Sequence, residues 1–229
     1  MTALSPEAWT AIALSFRIAA VSTLVSLPVA IAVAFALSRG TFRGRTLVEG
    51  LVQLPLVLPP VVTGYVLLLL FGRRGPIGGF LESAFGVVLA FRWTGAVLAA
   101  AVMAFPLMVR AIRLSMEAVD VRLERAAGTL GAGPLATFAL VTLPLSLPGI
   151  LVGATLAFAK ALGEFGATIT FVSNIPGETR TIAAAIYTAT QTPDGDGEAM
   201  ALTLVAVLIG LSALVVSEWI ARRAPGGGR

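Results

Sequence analysis

Residues able to do chemistry are sparse in this chain, and their types exclude most of it. The 229 residues hold no His and no Cys. Imidazole acid–base work, thiolate nucleophiles, disulfides and the common nitrogen and sulfur metal ligands are therefore ruled out. The single lysine, Lys160, is followed by Ala161, so the chain has no Gly-Lys-Ser/Thr phosphate loop with which to hold ATP. No nucleophile, base and acid can be assembled, and the chain is expected to be no enzyme, with no metal and no cofactor of its own. Lys160 and Glu164 stand four residues apart, the spacing of an intrahelical ion pair. That pair is either a structural tie near a membrane interface or part of a gate. Residues 163–181, GEFGATITFVSNIPGETRT, add Gly166 for close packing and hydroxyls at Thr168, Thr170 and Ser173. Hydroxyls, amides and backbone suit passing contacts with a solute better than a reaction.

Such groups must be positioned by helices in lipid. Hydrophobic residues make up 57% of the chain and charged ones 12%, with mean hydropathy +0.94, whereas soluble domains carry about 25% charged residues. The apolar runs are continuous rather than alternating, which excludes a barrel and implies an all-α integral membrane protein. The net charge is +4 and the pI 10.6. A basic pI can signal nucleic acid, but here the arginines sit at the ends of apolar runs, so topology explains them and no nucleic-acid partner is expected. The first apolar run is expected to stay in the mature chain, since Glu7 and no positive charge precede it.

Five spans are expected, over about residues 9–37, 47–71, 94–109 (reaching toward 114), 147–168 and 199–220. Pro28 is expected to bend the first. The second holds Pro55, Pro59, Pro60 and Gly64, so it should be kinked or unwound. With Thr63, its broken part either lines a pathway or is a packing kink. Arg17 lies two turns into the first span, and either snorkels to the interface or serves a function. Residues 166–187 have the apolarity of a sixth helix, which stays open. Asn174, Pro176, Gly177, Glu178 and Arg180 at their middle argue instead for a re-entrant or lid-like loop with a short helix near 180–190. Arg39, Arg43, Arg45, Arg110, Arg113, Arg122, Arg125, Arg222, Arg223 and Arg229 fall on one side, which basic residues mark as cytoplasmic. The N-terminus is then outside and the C-terminus inside.

On that inner side lies the stretch that organises the chain, residues 123–150, LERAAGTLGAGPLATFALVTLPLSLPGI. Val119, Leu123, Ala126, Ala127 and Leu130 recur at helical steps as one apolar stripe, with Asp120, Arg122, Glu124 and Arg125 off it. Gly131 and Gly133 are expected to end the helix, and Pro134 to open a second short one. The stretch is either a docking knob or an ordinary interfacial loop.

The pattern Glu124, Ala126, Ala127, Gly131, Val141, Leu143 and Pro144 resembles the "EAA" loop of ABC-importer permeases, with Arg125 inserted and Val141 in place of the commoner Ile. More specifically, residues 54–78, 96–124 and 163–181 together resemble the permease subunits of bacterial molybdate ABC importers. The resemblance implies a type I importer fold over residues 1–229 as one permease domain, with a coupling loop at 110–144 and an outer gate at 166–198. It implies a homodimer in the inner membrane, two ATP-binding subunits below it that carry the ATP and magnesium, and a periplasmic molybdate-binding protein above. Glu124, Ala126, Ala127, Gly131, Leu143 and Pro144 would couple to the ATPase. Pro59, Pro60, Thr63, Gly64, Glu164, Gly166, Thr168, Thr170 and Ser173 are the pathway and gate candidates. Molybdate, with tungstate accepted, is the implied cargo. A sulfate or other oxyanion permease of the same family is the alternative. A stand-alone secondary transporter or channel fits less well, because no internal repeat is visible.

Overall fold

In a bilayer the backbone must satisfy itself, and the described residues do so with helices, with no strand among them. The structure is a computed structural model and describes residues 4–223, so the glycine-rich tail with Arg229 lies outside the described residues. α1 (Pro6–Arg39) starts at Ser5, whose hydroxyl accepts the Ala8 N–H, and stays helical through Pro28. α2 (Arg45–Val57) and α3 (Pro60–Phe71) share one apolar run but bend by 115° between them. The cause is local. Leu58 and Pro59 each precede a proline, which pushes them to extended backbone, and they adopt ψ 142° and 134°. α4 (Pro76–Phe85) is a short helix in the connection between the second and third spans. α5 (Trp93–Glu117) is the central span.

Small residues let these helices approach closely, as packing in lipid requires. Ala30 and Ala34 of α1 and Ala96, Ala99, Ala100 and Ala104 of α5 are all buried. Gly149 and Gly153 of α9 (Leu147–Leu162) form a G-x-x-x-G face against α5. A Cβ on Gly149 would lie 2.1 Å from the Ser115 Cβ, and one on Gly153 would lie 3.1 Å from the Met108 carbonyl. Between α5 and α9 the chain makes α6 (Val121–Thr129), α7 (Pro134–Thr137), a π-helical turn (Phe138–Thr142) and α8 (Leu143–Leu145).

The fourth span ends at Leu162 rather than at 168. Gly163 closes α9, and a new helix, α10 (Gly166–Val172), begins three residues later. Burial decides this break, because the Glu164 carboxylate turns inward and accepts the Ala167 N–H at 2.9 Å, which caps the new helix. α11 (Ile182–Thr190) is the expected short helix, shifted to start after Thr181, whose hydroxyl accepts the Ala184 N–H. α10 and α11 have 7 and 9 residues, each too short to cross. α12 (Asp196–Arg223) closes the fold. Among the described residues three helices are long and apolar enough to span a membrane, or up to five if each bent pair is one span.

Candidate functional site

Two sets of candidate residues separate in space. The first is the α6–α8 stretch. α6 starts at Asp120, whose carboxylate accepts the Arg122 N–H at 2.8 Å. It ends in a Schellman turn. The Ala132 N–H donates to the Ala127 carbonyl and the Gly131 N–H to the Gly128 carbonyl, both at 3.0 Å, with Gly131 at φ +90°. Gly133 does not share that task. At φ −68° it is the residue before α7, and Pro134 takes the first helical position.

The apolar stripe divides. Val119 is buried against the bundle, but Leu123 and Leu130 are 49% and 89% exposed, and Leu135 on α7 is 84% exposed. Ala126 and Gly128 are exposed as well, and α6 has no buried residue. A row of bare leucines beside small residues makes a surface that another body can approach closely.

Glu124 points the other way. Both carboxylate oxygens take the Arg39 Nε–H, at 3.2 and 3.1 Å, and Oε1 also takes an Nη2–H at 3.1 Å. The Thr142 hydroxyl, presented by the π-helical turn, donates to Oε1 at 2.7 Å. Arg39 Nη2 also donates to the Met116 and Val119 carbonyls at 2.9 and 3.0 Å, within and just beyond the last turn of α5. Phe35 and Phe138 pack at a tilt with ring centroids 4.6 Å apart, one turn deeper. Glu124 therefore binds its own chain, where its place in the motif led to a docking residue. Arg39 is visible in the sequence only as a topological charge, and Thr142 only as the unmatched position between Val141 and Leu143. At 85 residues' separation no local pattern links Arg39 to Glu124.

The second set is the crossing of α3 and α10. A Cβ on Gly64 would lie 2.5 Å from the Ala167 carbonyl oxygen and 2.9 Å from the Thr170 Cβ, and one on Gly166 would lie 2.7 Å from the Pro60 Cβ. Pro60, Gly64, Gly166, Ala167 and Thr170 thus meet at one close contact, with Pro59 at its start. Thr63 and Thr168 are buried, and the Thr63 hydroxyl has no partner in the structure. Thr170 returns its hydroxyl to the Gly166 carbonyl at 2.8 Å. Glu164 and Ser173 mark the two ends of α10 rather than the crossing. Glu164 is 2% exposed and receives Lys160 Nζ at 3.4 Å, so the expected ion pair forms across the helix break. Ser173 sits at φ +66°, a conformation unusual for a residue with a side chain.

Beyond α10 a polar clasp holds residues 173–181 to the neighbouring helices. Arg180 meets Glu7 at 3.0 Å and the Asn174 side-chain oxygen at 3.0 Å. The Trp93 N–H donates to Glu178 at 3.3 Å, and the Ile182 N–H to the buried Ser15 hydroxyl at 2.8 Å. Arg17 is neither free nor directed at a carboxylate. Its guanidinium lies 3.8 Å over the Trp93 ring, the placement of an interfacial cation on an aromatic.

Residues 26–224 match the model of the family described as "Binding-protein-dependent transport system inner membrane component". The chain belongs to this family. It is an inner-membrane component of that class. The permease is 58% identical over 217 residues to the "Molybdenum transport system permease protein ModB" of Escherichia coli K12, covering 95% of this chain and 94% of that one. It is 55% identical to the protein of that name from Haemophilus influenzae, covering 93% of each. It is 42% identical to the one from Mycobacterium tuberculosis, covering 93% of this chain and 78% of the other. Among solved structures, a chain of a bacterial alginate ABC transporter superposes with a TM-score of 0.75 at 17% identity, covering 98% of this chain and 82% of that one. A chain of the MetNI methionine ABC transporter gives 0.63 at 16% identity, covering 93% and 94%. At such identities the structural likeness speaks for the fold alone.

Proposed function

We propose that this permease forms the membrane passage of an ATP-driven importer of molybdate, with tungstate accepted as well. The observation that carries the reading is the 58% identity, over nearly the whole of both chains, to a protein named for molybdenum transport. Two copies of the permease would enclose the path in the type I manner. Two ATP-binding subunits, bearing ATP and magnesium, would sit at the cytoplasmic face, and a periplasmic molybdate-binding protein at the outer one. The N-terminus would be outside and the C-terminus inside, which puts α6 within reach of the ATPase.

In this reading the bare face of α6 and α7, with exposed Leu123, Ala126 and Leu130 beside half-buried Ala127, seats in the ATPase. Gly131 sets the angle between the two short helices, and Leu143 and Pro144 return the chain to the membrane. Closure of the ATPase pair would move α6 and shift the bundles between inward- and outward-open states. The crossing of α3 and α10 would be the moving gate. A contact made by two glycines and a hydroxyl can separate without stranding a charge. Basic side chains are scarce within the spans, so the oxyanion would meet weak hydroxyl and backbone contacts and pass on, while tight binding resides in the periplasmic protein.

The test is labelled molybdate uptake in cells lacking their own importer, with the permease co-expressed with its ATPase and binding protein. Tungstate should compete and sulfate should not. Competition by sulfate would assign the permease to a broader oxyanion group. Uptake that persists without any ATPase would overturn the reading altogether.

A further inference from the structure

We propose that Arg39 is the positioning residue that makes α6 a rigid extension of α1 and α5, so that a push on α6 moves those helices rather than bending the connection. The proposal rests on the reading of α6 as the coupling helix and adds how its motion would leave it.

The geometry is specific to a guanidinium. Nε and Nη2 grip both oxygens of Glu124, while Nη2 also reaches the carbonyls of Met116 and Val119. One side chain at the end of α1 thereby joins the end of α5 to the first turns of α6. Glu124 passes the join on to Thr142, and through the π-helical turn and α8 to α9. Three elements, α1, α5 and α6, meet on one cation. Only a planar, multi-donor group can meet acceptors lying in such different directions, and lysine, with its single ammonium, cannot replace it. The pair is largely buried, at 21% and 15% side-chain exposure, so water cannot readily take over either partner's hydrogen bonds. No other side-chain hydrogen bond or ion pair shown among the described residues ties α6 to α1 or α5. α6 buries no residue of its own. Without Arg39 the helix would be held chiefly by its two chain connections and by the Thr142–Glu124 bond.

The experiment uses the assembled complex of permease, ATPase and binding protein in vesicles. Arg39→Gln and Arg39→Lys should each leave the ATPase bound and hydrolysing, yet lower molybdate uptake per ATP by tenfold or more. Arg39→Gln combined with Glu124→Gln should be no worse than either alone. A parallel fall of hydrolysis and uptake, wild-type uptake by Arg39→Lys, or additive losses would each overturn the proposal. A second measurement needs no damaged variant. The chain has no native cysteine, so spin labels on Thr41→Cys and Arg122→Cys report the separation of α1's end from α6. That distance should hold to within about 2 Å between the nucleotide-free and ATP-bound complex, while α6 moves relative to the outer helices. A change of 5 Å or more between α1 and α6 would overturn the joint. Leu130→Glu separates the two levels of inference. If it leaves the ATPase bound as before, the coupling-helix reading itself fails. If it releases the ATPase while the Arg39 variants transport normally, only the joint fails.

Discussion

Gly131 offers the cleanest perturbation, because nothing but its backbone is at stake. Its φ is +90°, and a Cβ built there has no atom within 4 Å. A substitution therefore carries the conformational cost alone, with no clash to confuse it. Holding an ordinary L residue in the left-handed region costs about 1–2 kcal/mol, which shifts the balance between the turn and its alternatives by roughly 5- to 30-fold. A β-branched residue costs more, and asparagine, which visits that region readily, costs less. The expected order of coupled transport is Gly, then Asn, then Ala, then Val. Gly133→Ala is the control, since Gly133 sits at φ −68° and also has no neighbour within 4 Å. Its only penalty is a poorer helix start, of less than about 1 kcal/mol. The assay is molybdate taken up per ATP hydrolysed in vesicles holding the whole complex, with permease content checked by blot. Gly131→Val should hydrolyse ATP with little uptake. Wild-type uptake by Gly131→Val, or equal losses at 131 and 133, would refute the claim that this turn sets the angle of the coupling segment.

Three further outcomes follow from the geometry. Gly64→Ala should cut uptake severely, because its new methyl would sit 2.5 Å from the Ala167 carbonyl oxygen and overpacking of this kind costs about 1–3 kcal/mol; a fully active Gly64→Ala would remove the α3–α10 crossing from the gate. Lys160→Met should lower the melting temperature in detergent more than Glu164→Gln does, since Lys160 is 37% exposed while Glu164 is 2% exposed, and the first change strands a buried carboxylate whereas the second keeps an acceptor for the Ala167 N–H. The double variant should recover most of the loss, and equal effects of the two single changes would count against this account. For topology, Pro176→Cys on the exposed loop before α11 should react with an impermeant thiol reagent in intact cells, and Leu135→Cys only after permeabilisation. The reverse pattern would invert the orientation.

Features governed by neighbours along the chain are legible in the sequence itself. The proline pair that breaks the second span, the Gly131 turn, Pro134 at the start of α7 and the short helix after 180 all depend on φ and ψ preferences that a residue imposes on itself or on the one before it. The end of the fourth span is not legible in the same way. The span expected from the sequence extends through Gly163 to Thr168, but the helix stops at Leu162 because Glu164 turns inward to cap α10, a choice made by burial. Arg17 shows the same limit. Its depth in the span is plain, but its partner Trp93 lies 76 positions on and gives no periodic signal.

Glu124 shows most sharply where motif and geometry part. The spacing of Glu124, Ala126, Ala127 and Gly131 marks a docking element, and it invites the inference that each of these residues faces the partner. The structure sorts them by physical type instead. Small and apolar residues are left bare, which costs little in a face that is covered on assembly. The one charged member is turned into its own chain, where an arginine and a threonine donate to it. A carboxylate on the outer face would have to shed water each time the partner seated. Placed inward, it is desolvated once, on folding, and on the proposed reading would serve thereafter as the rigid end of a lever. On the proposed reading, the same motif would supply both a surface that can be pressed and the anchor that lets the pressure be felt in the membrane.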